Sequence, residues 1–337
     1  MAISFKLKLA GPRTFNRREF WNALEKINVI LYLLVLLVAF AFAAPGAFTL
    51  GTASTVLQLS IPLLVVATGM TMCLICGEVD LSVGGIAGLA STVAALEMDR
   101  GAPWYLAVLM ALGSGLVVGM INGAFTAWLA PHVPRFPSFL VTLATLSAAT
   151  GLAQSLQPMQ QAIAINNPEF GRVFGFNQSA LTSLPTWYAF AILILGHVTL
   201  TKTSFGYAIK AIGANARAAK LVGYSVLASK FWVMTGSGLF AAAAGVLLAG
   251  FVQAGFANIA KGMEVDAIAA AVIGGTALFG GRGAVSGTVL GVLILGVLNT
   301  GLLVLQAPTN EQLIVKGALV ILALTVSEQL RKRVAMH

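Results

Sequence analysis

The segment CGEVDLSVGG, Cys76 to Gly85, places two carboxylates between two long apolar runs. The 51 residues from Ile27 to Gly77 contain no Asp, Glu, Lys, Arg or His. Glu78 and Asp80 then follow, and the next apolar run, Leu81 to Leu96, begins directly after them. About 20 apolar residues are enough to cross a bilayer as a helix. The two acids are therefore predicted to lie between two membrane-spanning helices.

The composition of the whole chain supports a membrane protein. Of its 337 residues, 58% are hydrophobic and only 9% are charged, whereas a soluble domain carries roughly 25% charged residues. We therefore predict an all-α polytopic integral membrane protein with about ten transmembrane helices, a broken-helix segment and a cytoplasmic helix. The predicted spans are approximately 27–44, 53–76, 82–97, 104–130, 138–157, 186–201, 231–251, 265–279, 285–306 and 312–327.

The distribution of positive charge predicts the orientation of these spans. Of the 20 Lys and Arg residues, 16 fall on the side that holds both termini and the loop 202–230. Positive loops stay in the cytoplasm, so this side is predicted to be cytoplasmic. The chain then divides into a cytoplasmic arm (1–26), a transmembrane domain (27–327) and a cytoplasmic tail (328–337). The net charge of +9 is explained by orientation, and no nucleic-acid partner is expected.

The segment around Glu78 and Asp80 has two interpretations. It is either a short solvated turn or a helix broken at membrane depth, which is tolerated where protein or a water-filled cavity covers the backbone. Gly77, Gly84 and Gly85 permit such a break. In the second case the side chain of Asp80 or Ser82 is expected to cap the following helix by accepting hydrogen bonds from the backbone N–H groups of its first turn.

Three further patterns concern a glycine-rich segment, helix packing and the cytoplasmic loop. A glycine-rich segment, 271–287, loosely repeats the break at Gly77, either as an internal repeat or by coincidence. Small residues spaced four apart, such as Gly115, Gly119 and Gly123, predict close helix packing. In the loop 202–230, which has five positive and no negative charges, Asn215 is expected to cap a short helix that ends before Gly223.

Three motifs occur in a fixed order between residues 50 and 330. The first comprises Gly77, Asp80, Leu81, Ser82, Gly84 and Gly85. The second comprises Gly206, Ala211, Gly213, Asn215, Ala218, Ala219 and Gly223, and the third runs from Ala270 to Gly283. In this order and spacing, the chain resembles the permease subunit of bacterial ABC importers of the ribose, xylose and autoinducer-2 branch. That family's first motif more often reads G-G-I-D, so the resemblance points to Asp80 rather than Glu78.

The resemblance implies a set of partners. Two permease subunits, identical or different, would pair around a central path in the inner membrane. Two cytoplasmic ATPase subunits, or one tandem ATPase, would bind ATP and Mg²⁺ and dock on the second motif as a coupling helix. A periplasmic binding protein would deliver a sugar-like solute. The chain itself would bind lipid but no cofactor or metal, and would catalyse no reaction.

Polar residues inside the spans are the candidates for the translocation path, because such residues usually face the bundle interior. Each is as compatible with an interhelical hydrogen bond as with contact to cargo. The path candidates are Asn122, Thr142, Thr145, Gln253 and Asn299.

The alternative function is an ion-coupled secondary transporter that uses Glu78 and Asp80. A channel or a membrane enzyme is a further alternative, but it would not require a docking helix at 202–230.

Overall fold

Thirteen α-helices and one short strand pair are the main elements of the described part of the chain. The computed structural model describes residues 17–44, 46, 49–129, 137–176 and 179–335. Residues 1–16 of the predicted arm and 336–337 of the predicted tail lie outside these ranges. The helices are α1 (Arg17–Ala43), α2 (Leu50–Cys76), α3 (Val83–Asp99), α4 (Trp104–Leu129), α5 (Pro137–Leu156), α6 (Pro168–Phe174), α7 (Leu184–Lys202), α8 (Ser204–Ala214), α9 (Ala216–Leu221), α10 (Val226–Val252), α11 (Met263–Ile273), α12 (Val285–Val304) and α13 (Thr309–Ala335). The strands β1 (Ile163–Ala164) and β2 (Ala254–Gly255) pair antiparallel.

An all-α polytopic membrane protein is consistent with these helices. Within the described residues, six helices are long and apolar enough to cross a membrane: α2, α4, α5, α7, α10 and α12. Each predicted span overlaps one helix, but α3 has 17 residues and α11 only 11. Length and composition together therefore identify six crossings among the described residues, fewer than the ten predicted.

The predicted span 265–279 was wrong in its second half. Helix α11 ends at Ile273, and the chain continues as a loop through Gly275, Gly280 and Gly281, all with positive φ. Glycine adopts this backbone conformation without the steric cost that a Cβ atom brings. The second glycine-rich segment is therefore a loop between α11 and α12.

Helix α2 forms the centre of the bundle. In its most apolar stretch, 94% of the residues are buried, compared with 22% in α4. The core cluster that contains these residues also includes residues of α3, α10, α11 and α12. The outer faces of α4, α5 and α7 expose large apolar side chains such as Leu109, Leu140 and Leu195. These faces suit contact with lipid acyl chains, whereas α2 is surrounded by protein.

Small residues bring the helices into close contact, as predicted. Helix α4 packs along α10 through Gly115, Gly119 and Gly123. A Cβ atom at Gly119 would lie 2.9 Å from the Thr235 carbonyl oxygen, and one at Gly123 would lie 2.5 Å from that of Phe231. No side chain fits at either position, so the two backbones pack directly against each other.

A polar cap covers the end of α10 that lies opposite the loop 202–230. It consists of the β1–β2 pair and α6, whose Glu169 carboxylate accepts a hydrogen bond from the Trp104 indole N–H at 2.9 Å. Asn167 caps α6 by accepting from the backbone N–H groups of Glu169 and Phe170. This cap fixes the chain between α5 and α7.

Candidate functional site

The break after α2 is buried rather than solvated. Gly77 ends α2 in the left-handed conformation, with φ of 82°, and the N–H groups of Gly77 and Glu78 return to the last turn at 2.9 Å. Glu78, Asp80 and Ser82 have no exposed surface. The solvated-turn interpretation is therefore wrong for these side chains, and the broken helix is the observed structure.

The expected capping of α3 is not observed. Ser82 occupies the N-cap position, but its side chain makes no capping hydrogen bond. Asp80 instead accepts hydrogen bonds from the backbone N–H of Ser82 at 2.9 Å and from its hydroxyl at 2.5 Å. The carboxylate therefore stabilises the loop itself, through a local turn of the type that Asp side chains commonly form.

A buried polar chain extends from this loop to α4 and α5. The Asn122 side-chain amide donates to the Ser82 hydroxyl at 2.8 Å, and the Thr145 hydroxyl donates to the Asn122 carbonyl oxygen at 2.6 Å. Asp80, Ser82, Asn122 and Thr145 thus form one network across three elements. The network uses Oδ1 of Asp80, whereas its Oδ2 is buried without a hydrogen-bond partner among the described residues.

The start of α5 holds the backbone of the same loop. The Ser138 hydroxyl accepts from the N–H of Val79, and the Thr142 hydroxyl accepts from the N–H of Leu81, both at 3.0 Å. Three of the path candidates, Asn122, Thr142 and Thr145, therefore lie in one region. Their contacts are with the broken-helix loop, and contact with a transported solute stays a prediction.

The other two path candidates lie apart from this network. Gln253 ends α10 with a left-handed backbone, and its side-chain amide donates to the Gly250 carbonyl oxygen at 2.5 Å. Asn299 lies on α12, where its carbonyl oxygen is buried without a hydrogen-bond partner among the described residues.

Glu78 is paired with a lysine that the sequence did not single out. Its carboxylate forms an ion pair with Lys230 of α10, whose side chain is only 14% exposed. The same carboxylate lies 3.4 Å from the backbone nitrogen of Ser138, in the first turn of α5. The pair therefore joins the broken-helix loop, α5 and α10, and Glu78 already has a positively charged partner.

The second motif packs against both glycine-rich breaks at Gly213. A Cβ atom there would overlap the Ile75 carbonyl oxygen and lie 2.6 Å from the backbone nitrogen of Gly281. That nitrogen donates to the same Ile75 oxygen at 2.8 Å. Gly77 and Gly280 also approach Gly213. All three sequence motifs therefore meet at one point.

The remaining residues of the second motif shape two short helices, α8 and α9. The Asn215 side chain accepts from the N–H of Ala218 at 3.1 Å, which caps α9 as predicted. Gly223 follows α9 with φ of 94°, and no atom lies near its missing side chain. Gly206 packs on the end of α7 and Ala219 is buried, whereas Ala211 is half-buried and Ala218 is exposed.

Two exposed apolar residues at the end of α9 were not predicted from the sequence. Leu221 and Val222 are 88% and 75% exposed, beside the exposed basic residues Arg217 and Lys220. An apolar pair in a basic loop is the signal that would have identified them.

Next to α9, a polar groove of about 520 Å³ is lined by Glu78, Lys230, Phe279 and residues 212–216.

Comparison with known proteins identifies the family. The family model described as "Branched-chain amino acid transport system / permease component" matches residues 52–324. No solved structure gives a significant match to this chain.

Three similar proteins come from Escherichia coli strain K12. The ribose import permease RbsC is 32% identical over 314 residues, which cover 93% of this chain and 97% of that protein. The xylose transport system permease XylH is 29% identical, with 97% and 98% covered. The galactofuranose transporter permease YtfT is 34% identical, with 83% and 80% covered. The chain described above therefore belongs to this family of transport-system permease components.

Proposed function

We propose that the chain forms the translocation path of an ATP-driven importer for a sugar or sugar-like solute. Relatives named for ribose, xylose and galactofuranose import cover most of its length. The single structural observation that carries the proposal is the exposed apolar pair Leu221 and Val222 at the end of α9. Apolar side chains exposed next to positive charges suit a protein surface with an apolar pocket and acidic residues.

The proposed topology has ten membrane crossings with both termini in the cytoplasm. The charge distribution supports it, because 16 of the 20 positive residues fall on one side. Helices α3 and α11 are then the short crossings; the buried loop 77–82 precedes α3, and a partly exposed loop, 274–284, follows α11. This arrangement places α8 and α9 in the cytoplasm and α6 at the periplasmic face of the inner membrane.

The proposed assembly contains two permease subunits, either two copies of this chain or this chain and a sister. Two ATPase subunits, or one tandem ATPase, dock on α8 and α9 and supply the bound ATP and Mg²⁺. A periplasmic binding protein docks on the opposite face and delivers the solute. The permease chain itself carries no cofactor.

A weakly held, neutral cargo agrees with the polar residues of the bundle. Asn122, Thr142 and Thr145 are neutral, and Glu78 is paired with Lys230. Hydroxyl and amide groups form hydrogen bonds with sugar hydroxyls without requiring a charged substrate. The path is proposed to run beside the broken-helix loop that these residues hold.

The docking test uses surface variants of α9, because Gly213 and Ala219 are packed and their replacement would disturb the fold. Leu221→Asp combined with Val222→Asp is compared with Leu181→Asp, which alters a leucine that is 65% exposed in the segment between α6 and α7. Complexes are purified from native membranes in mild detergent, and the ATPase subunit is quantified.

We expect the ATPase to co-purify with the wild type and with the Leu181→Asp control, and to be lost from the α9 variant. Equal recovery of ATPase with the α9 variant would contradict docking on α9. Absence of any ATPase from the wild-type preparation would contradict the importer itself.

A further inference from the structure

Glu78 and Lys230 form a charged link between the segment that follows α9 and the loop that breaks the membrane helix. Lys230 lies in the second turn of α10, which begins at Val226. The chain between α9 and α10 is only four residues long, 222–225. Lys230 therefore lies in the first long helix after the proposed docking helix and is connected to it by a short segment.

Glu78 lies on the other side of this link. It is the first residue after the αL glycine that ends α2, and its backbone N–H donates to the Cys73 carbonyl oxygen at 2.9 Å. Two residues further on, Asp80 begins the network through Ser82 and Asn122. A displacement of Glu78 would therefore act directly on the broken-helix loop, which the path candidates hold.

Burial strengthens the attraction between Glu78 and Lys230. Glu78 has no exposed surface and Lys230 is 14% exposed, so water does little to screen their attraction. The proximity of the Ser138 backbone nitrogen places the acid at the N-terminal end of α5, where a helix favours negative charge. Glu78 thus lies between α2 and the start of α5, and Lys230 lies on α10, directly before Phe231, whose carbonyl oxygen packs against Gly123 of α4.

The groove next to α9 places the pair where it can respond to docking. Glu78 and Lys230 line this groove together with Asn215 and Ala216, which form the junction of α8 and α9. A shift of that junction, for example by a closing ATPase, changes the position of Lys230 relative to Glu78.

We propose that Glu78 and Lys230 are positioning residues that transmit movement of α8 and α9 to the broken-helix loop. The proposal rests on the importer function proposed above. It assigns to this ion pair a role in the number of solute molecules moved per ATP, rather than in binding the solute.

The test separates this role from a purely structural one through a neutral double variant. Glu78→Gln or Lys230→Met alone leaves one buried charge without a partner and destabilises the protein. The double variant Glu78→Gln/Lys230→Met removes both charges with little change in shape and is expected to assemble normally. Lys230→Arg keeps the charge and is the conservative variant.

The complex with its ATPase and binding protein is reconstituted in liposomes. ATP hydrolysis is measured together with uptake of whichever of radiolabelled D-ribose, D-xylose and D-galactose the wild type accumulates. Lys316→Met serves as the matched control, because it breaks the partly buried pair of Lys316 with Asp266, at 3.1 Å, between α13 and α11.

We expect the double variant to assemble and hydrolyse ATP like the wild type while its uptake per ATP falls by about tenfold, within the usual range of coupling between two sites. Lys230→Arg and Lys316→Met are expected to keep the wild-type ratio. A wild-type ratio in the double variant, or an equal fall in Lys316→Met, would overturn the proposal. Failure of the importer function itself would appear differently, as absence of ATP-driven uptake by the wild type, and would remove the proposal with it.

Discussion

Gly213 of α8 contacts the carbonyl oxygen of Ile75 so closely that a side chain cannot fit between them. Ile75 is the second-last residue of the buried central helix α2. The same oxygen accepts a hydrogen bond from Gly281, in the loop before α12. The packing of the α8–α9 hairpin on the bundle therefore depends on three backbone segments that meet without side chains.

Gly213→Ala is expected to destabilise the protein by about 1–3 kcal/mol, because an added methyl group in a packed site forces the backbones apart. The measurement is the thermal unfolding temperature in detergent, followed by fluorescence. Gly236→Ala is the matched control: Gly236 lies in α10 with no atom near its missing side chain, and alanine favours helix over glycine. An equal loss of stability in both variants would show that the Ile75 contact is not special.

Asn122→Leu is expected to lower the stability by about 1–3 kcal/mol, the cost of leaving buried polar partners unpaired. It removes the bonds of Asn122 with Ser82 and Thr145, at 2.8 and 2.6 Å. The thermal unfolding temperature is measured again.

Asn299→Leu is the control for this substitution. The Asn299 carbonyl oxygen is buried without a partner among the described residues, so removing it is expected to leave stability unchanged or increased. A larger loss in Asn299→Leu than in Asn122→Leu would contradict the network described here.

The proposed topology is tested by cysteine labelling. The native Cys73 and Cys76 are buried, so their background reaction with a membrane-impermeant maleimide should be low. In intact spheroplasts, a cysteine introduced by Arg172→Cys in α6 is expected to react. One introduced by Lys220→Cys in α9 is expected to react only after the membrane is opened. The reverse pattern would contradict the orientation deduced from the positive residues.

Much of the fold could be predicted because local patterns determine it. Runs without charge located the long helices, and small residues four apart predicted close helix packing, which is observed between α4 and α10. The end of α11 was missed because Ile273 is followed by apolar residues as well as glycines. Hydropathy continues through Ala277 and Leu278, whereas the backbone turns at Gly275.

The candidate site was predictable only where one segment supplied both partners. Asn215 and Gly223 lie at the two ends of one short helix, and their roles follow from local capping chemistry. The pairing of Glu78 with Lys230 joins residues that lie far apart in the chain and depends on how α2 packs against α10. Residue types by themselves could not reveal that pair, nor that Asp80 would bond to Ser82 instead of capping α3.

The central claim is that ATP, rather than an ion gradient, drives sugar movement through this chain. The most direct measurement is uptake of radiolabelled D-ribose, D-xylose and D-galactose into liposomes that contain the permease with its ATPase and binding protein. We expect at least one sugar to accumulate with ATP present, in the absence of any proton or sodium gradient. Accumulation driven by such a gradient without ATP would show that the chain is an ion-coupled carrier and not part of an ATP-driven importer.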